Sequence, residues 1–186
     1  MPTSESPTEP TSPTTAQPVS PPSDEPPSTR RRWRTRLTLL ATAGLAAWFF
    51  GNLYEAVVFS PNWVVDNPDQ LLDLNRFFRR TSPTWYVVPL LASLGLIWAL
   101  QATNRESGLA AGHRRAGLLA AAAFGLNLYI VTTIIPVLFG PDVALRTADE
   151  LTAAAWRWNV LNVARMGLVA AAGWQVFTLY RMLDRL

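Results

Sequence analysis

The stretch that decides the fold is FFGNLYEAVVFSPNW, residues 49–63. It has the make-up of the end of a membrane-spanning helix, yet it places Asn52, Tyr54 and Glu55 inside an apolar run. Ionised oxygen in hydrocarbon is costly, and intramembrane polar groups are kept where they have partners or work to do. The question is therefore what meets Glu55.

Working outward, residues 37–59 are nearly all apolar, and at about 1.5 Å per residue they suffice to cross ~30 Å of hydrocarbon. Three comparable runs follow, at about 84–101, 115–139 and 157–180. A soluble four-helix bundle would carry a polar stripe on each helix, and stretches such as AGLLAAAAFG and GLVAAAGW have none. The reading is all-α: an integral membrane four-helix bundle over residues 37–186. It is preceded by a disordered tail, 1–36, rich in Pro, Ser and Thr and ending in the arginine cluster RRRWRTR. The tail lacks the basic start and early apolar core of a signal peptide.

Every basic residue is an arginine. Arg30, Arg31, Arg32, Arg34 and Arg36, then Arg105, Arg114 and Arg115, then Arg181 and Arg185 fall on one side of the four runs. Fewer, Arg76, Arg79, Arg80 and Arg146, fall on the other. The positive-inside rule then predicts a multi-pass protein of the cell membrane with both termini cytoplasmic. The cluster before the first helix suits anionic headgroups, so the basic excess points to membrane lipid and not to nucleic acid. Trp33, Trp63, Trp85 and Trp156 are expected at the interfaces, with Trp158 as a further anchor.

Two outer loops carry helix signals. Asn67, Pro68 and Asp69 open a short amphipathic helix that lies on the surface or lids the bundle. Thr147 and Glu150 have the spacing of a capping box, so the last helix is expected to begin near 148. No internal repeat is read.

The polar residues inside the spans are Asn52 and Glu55, Asn127, and Asn159, Asn162 and Arg165. Spacings of three place Asn52 with Glu55, and Asn159 with Asn162 and Arg165, on single helix faces. Their depths converge in the outer half of the bundle, with Tyr54 and Tyr86 at a similar level, and Glu55 is expected to pair with Arg165. There is no cysteine and one histidine, so no thiolate or multi-histidine metal centre is expected. His113, in the basic segment HRR, reads as a solvated loop residue.

The segments GNLYEAVVFSPNW and WRWNVLNVAR, set in four apolar helices, resemble the anthrone-oxygenase-like family of small membrane proteins, most of them known only as a domain of unknown function. The resemblance covers roughly 37–180 and rests on Gly51, Tyr54, Glu55, Pro61, Trp156, Asn162 and Arg165. It implies a protein that admits a lipophilic aromatic molecule from the bilayer, and a cofactor-independent oxygenase activity. In that activity Glu55, or Tyr54 bonded to it, takes a proton. Arg165 stabilises the resulting enolate, and Asn52, Tyr86, Asn127, Asn159 and Asn162 line the site. The alternative reading is a non-enzymatic scaffold or accessory subunit, with Glu55–Arg165 as a structural tie.

Overall fold

The computed structural model describes residues 27–64, 69–78, 87–104 and 108–185. Among these the fold is all-α, with no strand. We number five helices. α1 runs Pro27–Tyr54, passes through a π-helical turn Glu55–Phe59, and continues as Ser60–Val64. α2 is Asp69–Phe78 and α3 is Val87–Thr103. α4 runs Leu109–Tyr129, passes through a second π turn Ile130–Ile134, and ends as Ile135–Phe139. α5 is the single helix Ala148–Arg185, about 57 Å long.

α1, α3, α4 and α5 close a ring in which each packs against its two neighbours in chain order, with α5 returning to α1. Three segments, Arg31–Val64, Leu109–Phe139 and Ala148–Asp184, are long and apolar enough to cross a membrane. This is the make-up of a helical membrane protein. The expected fourth span, α3, is a shorter apolar helix of 17 residues, about 26 Å as described, although the expected start at 84 lies outside the described residues.

α1 starts well before the expected residue 37. Pro27 suits a first helical position because its missing N–H has no helical partner there and its φ is preset. The arginines that follow are good helix formers. They also tie the basal end of the bundle, where α1 begins and α5 finishes. Arg31 donates from Nε to the Leu183 carbonyl (3.2 Å) and from Nη2 to that of Asp184 (3.0 Å), and Arg34 Nη2 donates to the Thr103 carbonyl (3.1 Å). These carbonyls belong to helix C-termini, which lack intrahelical donors and favour positive charge. The remainder of the tail, 1–26, lies outside the described residues.

α5 opens as expected at Ala148. Thr147 N–H donates to Glu150 Oε2 (3.1 Å), and Glu150 N–H donates to Thr147 Oγ1 (3.3 Å), which is a reciprocal capping box. At the distal end α2 packs against Ser60–Val64 and Ile135–Phe139. Its Leu71 is fully buried in a cluster with Trp63, Leu138, Leu151 and Trp158, so α2 lids the bundle. The proposed cap at Asn67 and Pro68 lies outside the described residues, as does Trp85.

Three expectations are corrected here. Trp63 and Trp158 are core residues, 3% and 2% exposed, with rings 4.5 Å apart in a T-shaped arrangement. They fill the volume under the α2 lid, which removes them from the interface. His113 is not in a loop. α4 begins at Leu109, so His113 sits one turn in on the inward face, fully buried, while Arg114 and Arg115 point out. Its Nδ1 lies 2.9 Å from the Leu109 carbonyl oxygen, which can only accept, so Nδ1 carries the proton.

The two halves of the bundle also share a register that the reading of the sequence missed. Asn-Leu-Tyr followed by a proline seven residues after the tyrosine occurs at 52–61 and again at 127–136. In both copies the π turn begins right after the tyrosine and ends two residues before the proline. Proline has no N–H for the i−4 carbonyl, and a wider turn accommodates the displaced backbone. Inward positions match in the same register. Thr38 and His113, Ala41 and Ala116, Leu45 and Ala120, Trp48 and Ala123, Asn52 and Asn127, and Trp63 and Leu138 are all buried.

Candidate functional site

The twin asparagines meet at Arg165. This arginine is 4% exposed on the inner face of α5, one turn after Asn162. Its Nη1 donates to Asn127 Oδ1, and its Nη2 donates to Asn52 Oδ1 and to Asn162 Oδ1 (2.5 Å for the last). The guanidinium carbon stands 5.5 Å from the centroid of the Trp48 ring. Guanidinium stays protonated in proteins, so the charge is real, and three amide dipoles and an aromatic face spread it across α1, α4 and α5.

Each asparagine is positioned by its helix. Asn52 Nδ2 donates to the Trp48 carbonyl one turn back (2.7 Å), which turns Oδ1 toward Arg165. Asn162 Nδ2 donates to the Asn52 carbonyl (3.4 Å) and closes α5 against α1 at this level. Asn127 differs. Its Oδ1 is used by Arg165, but no hydrogen bond from its Nδ2 occurs among the described residues. Asn127 also lines an open groove of about 490 Å³ between α3 and α4, whose other walls are Val87, Val88, Leu91, Phe124, Leu128 and Val131.

The shared register explains why one asparagine is sealed and its twin is not. Asn162 closes over Asn52, and the residue in matching register on α3 is Val87, which has no amide to offer Asn127. Likewise Arg165 matches Leu90, so the bundle holds its cation on one half only.

Of the expected site residues, Asn52, Asn127, Asn162 and Arg165 converge as foreseen. Three amide oxygens, those of Asn52, Asn127 and Asn162, are partners of the guanidinium. Glu55 is half-buried at the first position of the π turn, past the level of Asn52. Tyr54 is exposed and packs edge-on against Phe59, with centroids 5.4 Å apart, and so faces away from the cluster. Asn159 serves another contact: its Oδ1 accepts from Ser60 Oγ, which joins α5 to α1 above the arginine. Tyr86 lies outside the described residues. Trp48 is the member the sequence reading missed, although it lies one turn before Asn52 and so shares its face. Among the described residues no group of three acidic, histidine or cysteine side chains is arranged to hold a metal.

Compared with protein-family models, with curated proteins and with solved structures, the chain shows no match.

Proposed function

We propose that this chain is a multi-pass protein of the cell membrane, with both termini cytoplasmic, that binds a lipophilic small molecule in the groove between α3 and α4. The observation that carries this reading is Asn127: a polar side chain 7% exposed, polarised by a buried cation, bordering an otherwise apolar groove of ligand size. With its carbonyl oxygen taken, Asn127 has an N–H donor to offer. The ligand class that fits is therefore an apolar molecule bearing an acceptor oxygen, such as a polycyclic ketone or phenol, entering sideways between the helices. This agrees with the lipophilic aromatic ligand implied by the resemblance to anthrone-oxygenase-like proteins. The orientation rests on the arginine asymmetry between the loops.

Oxygenase chemistry is the sharper form of the same reading. Glu55 would take a proton from an acidic carbon, and the resulting enolate would react with dioxygen. Neither Glu55 nor Arg165 is a wall of the groove, and Arg165 already donates to three amides, so binding is better supported than turnover.

The test uses purified protein in detergent with anthrone as probe, following quenching of tryptophan fluorescence and oxygen uptake. Asn127→Leu is expected to weaken anthrone binding at least tenfold, while Asn52→Leu leaves it within a few-fold. Equal affinities for the two variants would refute the groove. Oxygen uptake lost in Glu55→Gln would support the oxygenase form, and uptake unchanged by it would remove Glu55 as the base. A second reading, a scaffold in which the Arg165 cluster only ties helices, is favoured by the cluster's burial across three helices. It predicts no anthrone binding in any variant.

A further inference from the structure

The basal end of the bundle holds a second cavity, separate from the groove. It is an open hollow of about 410 Å³ walled by Arg31, Arg32, Thr35 and Arg36 of α1 and by Asp184 of α5. Arg31 is fixed in this wall by its two hydrogen bonds to the last carbonyls of α5. Thr35 Oγ1 donates to the Arg31 carbonyl (3.1 Å), which keeps that side chain along the helix. Arg32 and Arg36 stand one turn apart, exposed, and neither has a hydrogen bond or ion pair among the described residues. Asp184, the one acid in the wall, likewise makes no ion pair among the described residues.

Like charges one turn apart repel. No acid in the first turn of α1 offsets them. An anion seated between Arg31, Arg32 and Arg36 relieves that repulsion. Guanidinium groups suit phosphate in particular, since each offers a planar pair of donors to two oxygens. The surface just beyond indicates the source of the phosphate. Leu39 and Leu40, within a turn of Arg36, are exposed large apolar residues at 49% and 57%. A phosphate in the cavity with hydrocarbon along those leucines describes a phospholipid.

We propose that this cavity is a binding site for the phosphate of an anionic phospholipid headgroup, held by Arg31, Arg32 and Arg36. Nothing in it depends on the groove or on Asn127.

The test uses the full chain in an uncharged detergent at fixed ionic strength. Three probes are added separately: dioleoylphosphatidylglycerol, dioleoylphosphatidylcholine and inorganic phosphate. Native mass spectrometry counts bound lipid, and thermal unfolding reads stabilisation. Phosphatidylglycerol is expected to bind one to one and to raise the unfolding temperature, with phosphatidylcholine doing neither. Arg32→Gln with Arg36→Gln should weaken phosphatidylglycerol roughly thirtyfold, about fivefold for each arginine. Asp184→Asn should tighten it. Both side-chain sets are exposed, so lipid-free unfolding should stay unchanged and confirms that the variants fold. Stabilisation by inorganic phosphate equal to that by phosphatidylglycerol would support the phosphate site and assign its source to the free ion. Equal binding of the two lipids, or wild-type affinity in the double arginine variant, would overturn the proposal.

Discussion

Replacing Arg165 by Met tests whether the buried cation stabilises the bundle or burdens it. Met keeps much of the side-chain volume and removes the charge. Polar contacts between membrane helices contribute about 0.6 kcal/mol on average, and charge-assisted ones about twice that. Three such bonds to Asn52, Asn127 and Asn162 then amount to roughly 4 kcal/mol, and the Trp48 face adds about 1 kcal/mol. Against this, the variant no longer has to desolvate a guanidinium, which returns about 2–3 kcal/mol once relaxation is allowed for. The net expectation is a loss of about 2 kcal/mol, measured by titrating micelle-bound protein with a denaturing detergent and following helicity. Most of that loss resides in amide oxygens left without a donor. Adding Asn52→Leu, Asn127→Leu and Asn162→Leu to Arg165→Met should therefore recover more than half of it. Wild-type stability in Arg165→Met alone would refute the reasoning, and so would a further loss in the quadruple variant.

Other outcomes follow from the packing. Gly44→Val should lose about 1–3 kcal/mol in the same titration, because a Cβ there would collide with Ser93 Oγ and lie 2.9 Å from the Pro89 carbonyl oxygen, and that backbone cannot yield cheaply. Thr147→Ala should cost about 1 kcal/mol and speed amide exchange at Glu150, whose N–H would lose its cap acceptor, without altering exchange near Val176. Trp158→Ala should cost about 3–5 kcal/mol and loosen the α2 lid, read as faster proteolysis between α1 and α3, because it empties the space beside Trp63.

Much of the architecture was legible because apolar run length is a coarse property that tertiary context rarely overturns. The capping box at Thr147 and Glu150 was legible for the opposite reason, since it is local and its partners are three residues apart. The polar convergence was half legible. Spacing put Asn162 and Arg165 on one face and depth brought Asn52 and Asn127 to the same level, but which oxygens meet the guanidinium depends on rotation about each helix axis. The π turn that begins at Glu55 shifts the residues after it, Ser60 among them, and regular helical spacing does not foretell that insertion. Trp63 and Trp158 misled because tryptophan near a span end is read by its chemistry, while here the α2 lid covers them. His113 misled because the start of α4 lies upstream of the arginines beside it.

The register shared by the two hairpins has a consequence for lineage and symmetry. Two identical hairpins assembling as a dimer about a two-fold axis present every residue twice. With arginine at the matching position, such a dimer would bury two cations side by side. With leucine there, it would bury none and leave two asparagines facing each other. A lone positive charge gripped by an asparagine from each half is out of reach of that symmetric assembly. With both hairpins in one chain the matching positions are free to differ, Leu90 in the first and Arg165 in the second. The single chain also leaves Asn127 at the edge of an open groove while Asn52 is closed over by Asn162.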